Sequence, residues 1–201
     1  MSRLLTLFLL MFNTIFALNI PQKTYSTITQ VNGNEITLQN SLGANGTSGV
    51  IVRNVGGRDY ILAYIKQISP NKAVIIDSDP LDGNPLANIK PIAKVGDRVI
   101  GGFLYSKVMI LAPNREDFNA LQSSLGINSI NPDYFLAYLK GSSPSSNDYK
   151  KFAKLMGIGL FLIAKNGILT LYDPISQESI AKEAYKSSSN INITPFYTNF
   201  K

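Results

Sequence analysis

Between Tyr25 and Ala112 the apolar residues alternate with polar ones in short runs, each broken by a turn-forming group. Tyr25-Ser-Thr-Ile-Thr-Gln-Val31 passes through Asn32-Gly33-Asn34 into Glu35-Ile-Thr-Leu38, which predicts a hairpin. Gly49–Val52 follows a Gly/Asn/Ser loop, and Asp59–Ile68 and Ala73–Ile76 flank the turn Ser69-Pro-Asn-Lys72. Ile92–Val95, Val99–Leu104 and Lys107–Ala112 continue the series. So many short strands predict a small barrel or sandwich of about seven strands.

After Pro113 the apolar period lengthens to that of a helix. Asn114 is placed to cap a helix that carries Phe118, Leu121 and Leu125 on one face and ends at Gly126. A second helix runs from Tyr134 to Lys140 behind Asn131-Pro132-Asp133, and a third from Asp148 to Met156. The third is expected to turn Tyr149, Phe152 and Leu155 inward and its lysines to water. Gly159–Ala164 and Ile168–Tyr172 read as strands around the Asn166-Gly167 turn, and Ser176 as the cap of a last helix reaching Tyr185. The fold class is therefore α+β. A leader at 1–17 is followed by a β-rich lobe at 18–112, a mixed α/β lobe at 113–186 packed with it, and a tail at 187–201.

The leader changes the expected compartment. Met1-Ser-Arg3 is cationic and the stretch to Leu18 is mainly apolar, the pattern of a secretory signal peptide with a cut after Ala17. It is shorter than the ~20 apolar residues of a membrane span, and no later segment approaches that length. Export to the periplasm or cell surface follows.

Composition removes whole classes of chemistry. The chain has no Cys, His or Trp. Thiolate nucleophiles, disulfides, Ser–His–carboxylate triads and imidazole metal sites are thus excluded. The net charge is +6, with 19 Lys and Arg against 13 Asp and Glu. These charges are spread over both halves, only Lys150, Lys151 and Lys154 cluster, and a nucleic-acid groove is not indicated. Asp77, Asp79 and Asp82 form the one acidic cluster, with the oxygen chemistry of a hard-cation site but without EF-hand spacing. Asp, Pro and Gly are equally ordinary in a solvated turn. Ser69-x-x-Lys72 has the spacing of a Ser/Lys acyl-enzyme pair, yet lies in a strand–strand turn where that chemistry needs a helix start. No cofactor is expected, and no enzyme.

Asn88-Ile-Lys-Pro91, Gly96-Asp-Arg-Val-Ile-Gly-Gly-Phe-Leu-Tyr105 and Val108-Met-Ile-Leu-Ala-Pro-Asn114 form one block. A second comprises Asp148-Tyr-Lys-Lys-Phe152, Gly159-Leu-Phe-Leu-Ile163 and Tyr172-Asp-Pro-Ile-Ser-Gln-Glu-Ser-Ile180. Over roughly 25–186 the chain resembles the N-terminal domain of plasminogen-binding surface proteins of Helicobacter and Campylobacter relatives. The resemblance implies export and capture of host plasminogen by C-terminal lysines that enter its kringle domains. Of the lysine-rich tail such proteins often carry, only Lys201 is matched here. The alternative is a protein–protein interaction module of the bacterial envelope, with another envelope protein as its partner and no role for plasminogen.

Overall fold

A computed structural model describes residues 18–77, 92–127 and 129–188. The leader, Asp79, Asp82 and Lys201 lie outside the described residues. Strands β1 (Thr24–Asn32), β2 (Glu35–Leu38), β3 (Ser48–Val55), β4 (Arg58–Ser69), β5 (Lys72–Asp77) and β6 (Arg98–Gly101) close a barrel in the order β1-β2-β5-β4-β3-β6. All its pairings are antiparallel, with β6 hydrogen-bonded to both β1 and β3. Alternation sends Ile28, Ile36, Leu38, Ile51, Ile65 and Val99 into one buried interior. Asn71 takes the left-handed conformation in the Ser69–Lys72 turn, as the hairpin requires.

Strand β7 (Val108–Leu111), β8 (Leu160–Lys165), β9 (Ile168–Asp173) and β10 (Glu178–Ala184) build a second sheet in the order β10-β9-β8-β7. β7 and β8 are parallel, joined through helices α1 (Arg115–Leu125), α2 (Asp133–Leu139) and α3 (Ser146–Met156). Both faces of this sheet are covered, which explains why Val-Met-Ile-Leu in β7 is apolar throughout rather than alternating. Val108, Ile110, Leu160 and Leu162 meet α1 through Phe118 and Leu121 on one face. Met109, Leu111 and Phe161 meet α2 and α3 on the other, where Phe135 and Phe152 stand 4.9 Å apart between ring centres. Leu18 is buried in the first of these two cores, so the chain enters the fold through the second sheet before it reaches the barrel.

Several expectations are corrected. The barrel has six strands, because Lys107–Ala112 supplies β7 of the other sheet and Ile92–Val95 forms no strand. The segment after Ser176 is strand β10, not a helix. Ala, Glu and Lys there favour a helix locally, but pairing with β9 from Glu178↔Asp173 to Ala184↔Ile168 prevails. Asn114 and Gly126 do cap α1, and Asn166-Gly167 does turn the β8–β9 hairpin with both residues at positive φ.

Helix α3 keeps Tyr149 and Phe152 on the expected face but turns Leu155 away from it. Phe152 and Ala153 are buried, while Leu155 is 70% exposed. Lys150 and Lys154 turn instead toward Asp77 at the end of β5.

Candidate functional site

The most enclosed polar side chain among the described residues is Asp173, fully buried at the end of β9. Its Oδ1 accepts the backbone N–H groups of Ile175 (2.9 Å) and Ser176 (3.1 Å), an Asx turn that reverses the chain into β10. Its Oδ2 accepts the Ser48 N–H at the start of β3 (2.8 Å) and the phenol of Tyr105. One carboxylate thus ties the barrel, the 102–107 turn and the second sheet together. Burial pushes its pKa up, and the same burial beside an anion pushes that of Tyr105 up. The adjoining cavity, of about 10 Å³, is bounded by Ser48, Tyr105 and Gly159. It is no larger than one water and admits no substrate. The pair is a joint.

A second buried carboxylate, Asp117 in the first turn of α1, sets where the tail begins. It accepts the Ser188 N–H (2.8 Å), the Ser187 hydroxyl and the Asn114 amide (3.1 Å). Burial raises its pKa, but the hydrogen bonds from Ser187 and Ser188 more than offset this and the net shift is downward. The last thirteen residues of the sequence, with Lys201 at their end, follow this root.

Of the charge clusters singled out in the sequence, Asp77, Lys150 and Lys154 are engaged with one another. Lys154 Nζ lies 2.9 Å from Asp77 Oδ2 and 5.4 Å from the Tyr64 ring centre, and Lys150 Nζ lies 3.8 Å from the same carboxylate. Asp77 is therefore matched by two ammonium groups, and no cluster of three or more acidic side chains converges among the described residues. Lys72 pairs with Glu35 of the neighbouring strand β2 at 3.0 Å, and Ser69 sits opposite Lys72 in the hairpin register. That turn geometry gives no helix start for Ser/Lys chemistry.

Arg53 and Asp97 were not visible as a pair in the sequence, being 44 residues apart. Arg53 donates Nε and Nη2 to the two carboxylate oxygens and a further Nη2 bond to the Ile92 carbonyl, while the Lys94 N–H donates to Asp97 Oδ2. The fork fixes the 92–97 loop to β3. Burial raises the Asp97 pKa, yet the Arg53 and Lys94 bonds prevail and hold it below the usual carboxylate range. A carboxylate whose folded pKa is depressed adds stability that is complete above its unfolded value, near 4, and is lost as pH falls through the folded one. Acid titration followed by amide exchange should therefore release Lys94 and Ser188 below about pH 4. Asp97→Asn should remove the pH dependence at Lys94 and leave it at Ser188. Unaltered acid release of Lys94 in that variant would contradict the assignment.

Sequence reasoning missed Asp173, Tyr105, Asp117 and the Arg53–Asp97 fork. The local signals were Asp173-Pro-Ile-Ser176, an Asx-turn string, and Asn114-x-x-Asp117 at a helix start.

A half-open groove of about 880 Å³ lies between residues 18–23, Tyr105-Ser106 and the end of α1 at 124–127. Among the described residues Lys23 is its sole charged side chain, and the Tyr105 phenol is already committed to Asp173. It offers no converging acid–base pair.

No curated protein and no solved structure matches the chain. The family described as plasminogen-binding protein pgbA N-terminal does match, over residues 23–201, which takes in the whole barrel, the second sheet and its three helices. By that match the chain belongs to the pgbA N-terminal family of plasminogen-binding proteins.

Proposed function

We propose that this is an exported, non-enzymatic binding protein of the bacterial envelope or cell surface that captures plasminogen weakly through Lys201. Its leader is cut after Ala17. Membership of a plasminogen-binding family over residues 23–201 is the observation that carries the reading. The family name gives the partner, and the chemistry of lysine recognition gives the residue. A terminal lysine offers an ammonium and a carboxylate at the two ends of one apolar stem. A kringle's lysine site answers with acidic groups, an aromatic trough and basic groups.

The root of the tail supports the assignment. Ser187 and Ser188 are held at Asp117, and the thirteen residues beyond span at most about 45 Å when extended. One small epitope buries little surface, so binding should sit near the micromolar level, about −8 kcal/mol.

The test is binding to immobilised plasminogen of the chain ending in Lys201, of the same chain lacking Lys201, and of Lys201→Ala. Both altered forms should lose binding by at least tenfold, and a free lysine analogue should abolish binding by the intact chain. Equal binding by the form lacking Lys201 would remove this mechanism and leave an envelope interaction module, with a bacterial protein as partner, as the reading to pursue.

A further inference from the structure

A second depression, of about 200 Å³, lies on the outside of the barrel where β1 and β6 pair beside the chain leaving β2. Its walls come from Tyr25, Thr27, Gln39, Asn40, Arg98 and Ile100. The register dictates this grouping. Tyr25 is opposite Ile100 and Thr27 opposite Arg98, so these four share the outward face, while Ser26 and Val99 between them point inward and are buried. The Gln39 N–H donates to the Thr27 carbonyl at 2.9 Å, which brings the two amide side chains to the rim of β1.

Three features of this patch require explanation together. Tyr25 is 68% exposed, an unusual position for a large ring on a strand that otherwise buries its apolar groups. The side chains of Tyr25, Thr27, Gln39 and Asn40 have no hydrogen-bond partner among the described residues. Arg98, by contrast, is oriented by Asp59, so the groove presents a fixed donor whose charge is already balanced. An open aromatic face, two planar amides that each donate and accept, a hydroxyl and a neutralised cation make a surface of mixed polarity with little net charge.

We propose that this groove binds a carbohydrate containing N-acetylhexosamine. A pyranose ring has one face of C–H groups and a rim of hydroxyls. The C–H face stacks on Tyr25, and the hydroxyls take both halves of the Gln39 and Asn40 amides. The methyl of an acetamido group lies against Ile100, whose side chain shares the outward face with Tyr25. The volume suits a single sugar ring and is too small for a folded domain. This proposal does not depend on plasminogen capture.

The experiment is a titration of the isotope-labelled protein with the β-1,4-linked trimer of N-acetylglucosamine, read by amide chemical shifts, with a glucose trimer in parallel. Saturable shifts confined to 25–27, 39–40 and 98–100 are expected, with a Kd of about 1 mM because a shallow groove buries little area. Tyr25→Ala should weaken binding at least tenfold without shifting amides elsewhere, and Tyr25→Phe, which keeps the ring, should retain it. The glucose trimer should bind more weakly. Absence of saturable shifts up to the solubility of the sugar would overturn the proposal, as would undiminished binding by Tyr25→Ala. Equal binding of the two trimers would overturn the assignment of the acetamido group.

Discussion

Asp173→Ala should lower the unfolding free energy by about 4 kcal/mol or more, because it strands several buried donors at once. Ile175, Ser176 and Tyr105 each lose their acceptor, and Ser48 keeps only the Tyr105 oxygen at 3.2 Å. Each orphaned buried donor costs about 1–3 kcal/mol, and the vacated volume adds to that. Asp173→Asn separates charge from shape. Its oxygen can still accept from Ile175 and Ser176, but its NH2 meets the Ser48 N–H, donor against donor. A loss of about 2 kcal/mol is expected for it. Urea unfolding of the three proteins measures both differences. A midpoint for Asp173→Ala within about 1 kcal/mol of the parent would show that the joint carries no weight.

Gly159→Ala should be comparably damaging for a different reason. A Cβ at Gly159 would sit 2.2 Å from the carbonyl carbon and oxygen of Leu104 and 2.6 Å from the Tyr105 nitrogen. All three are backbone atoms. They cannot retreat easily, since the Gly159 N–H bonds to the Lys107 carbonyl at 2.9 Å and Tyr105 is anchored on Asp173. Overpacking against fixed backbone sets the expected cost at about 3 kcal/mol. Gly126→Ala is the control. Gly126 adopts φ +60 at the end of α1 with nothing within 4 Å of an added Cβ. That substitution meets only the left-handed strain, about 1 kcal/mol. Thermal or urea unfolding should therefore rank Gly159→Ala well below Gly126→Ala, and a reversed order would refute the steric account.

These two sites show what the sequence could and could not disclose. Asn114 and Gly126 bracket α1 in plain view, because capping is a local matter of neighbouring backbone groups. The same holds for Asn166-Gly167, where two successive positive φ angles select those residue types. Asp173 is different. Its partners Ser48 and Tyr105 are 125 and 68 residues away, and no spacing rule reaches that far. Gly159 looked like an ordinary strand boundary, since its need for a bare Cα arises only when the 104–105 backbone crosses it. Residues 178–184 failed in the opposite sense. Their local preference was legible and misleading, since a strand partner outweighs helix propensity of a few tenths of a kcal/mol per residue. On α3, spacing put Tyr149 and Phe152 on the right face and erred at Leu155 and the lysines, because Lys154 can lay its stem inward and still bring its ammonium to Asp77.

Barrel closure has a consequence for behaviour at high concentration. A sheet whose first and last strands are joined offers no open row of N–H and C=O groups to another chain, and here β6 completes the circle between β1 and β3. The second sheet is open in topology, but its β7 side is occupied. The Ile130 N–H bonds to the Val108 carbonyl, and the Ser129 hydroxyl accepts from the Ile110 N–H at 2.8 Å. On the opposite side, β10 carries Glu178, Lys182 and Glu183 along its length and a register break between Ser179 and Ala181. Charge and irregularity of this kind discourage edge-to-edge growth. Among the described residues, neither sheet presents a long, uncharged, unpaired edge on which a second copy could template a strand.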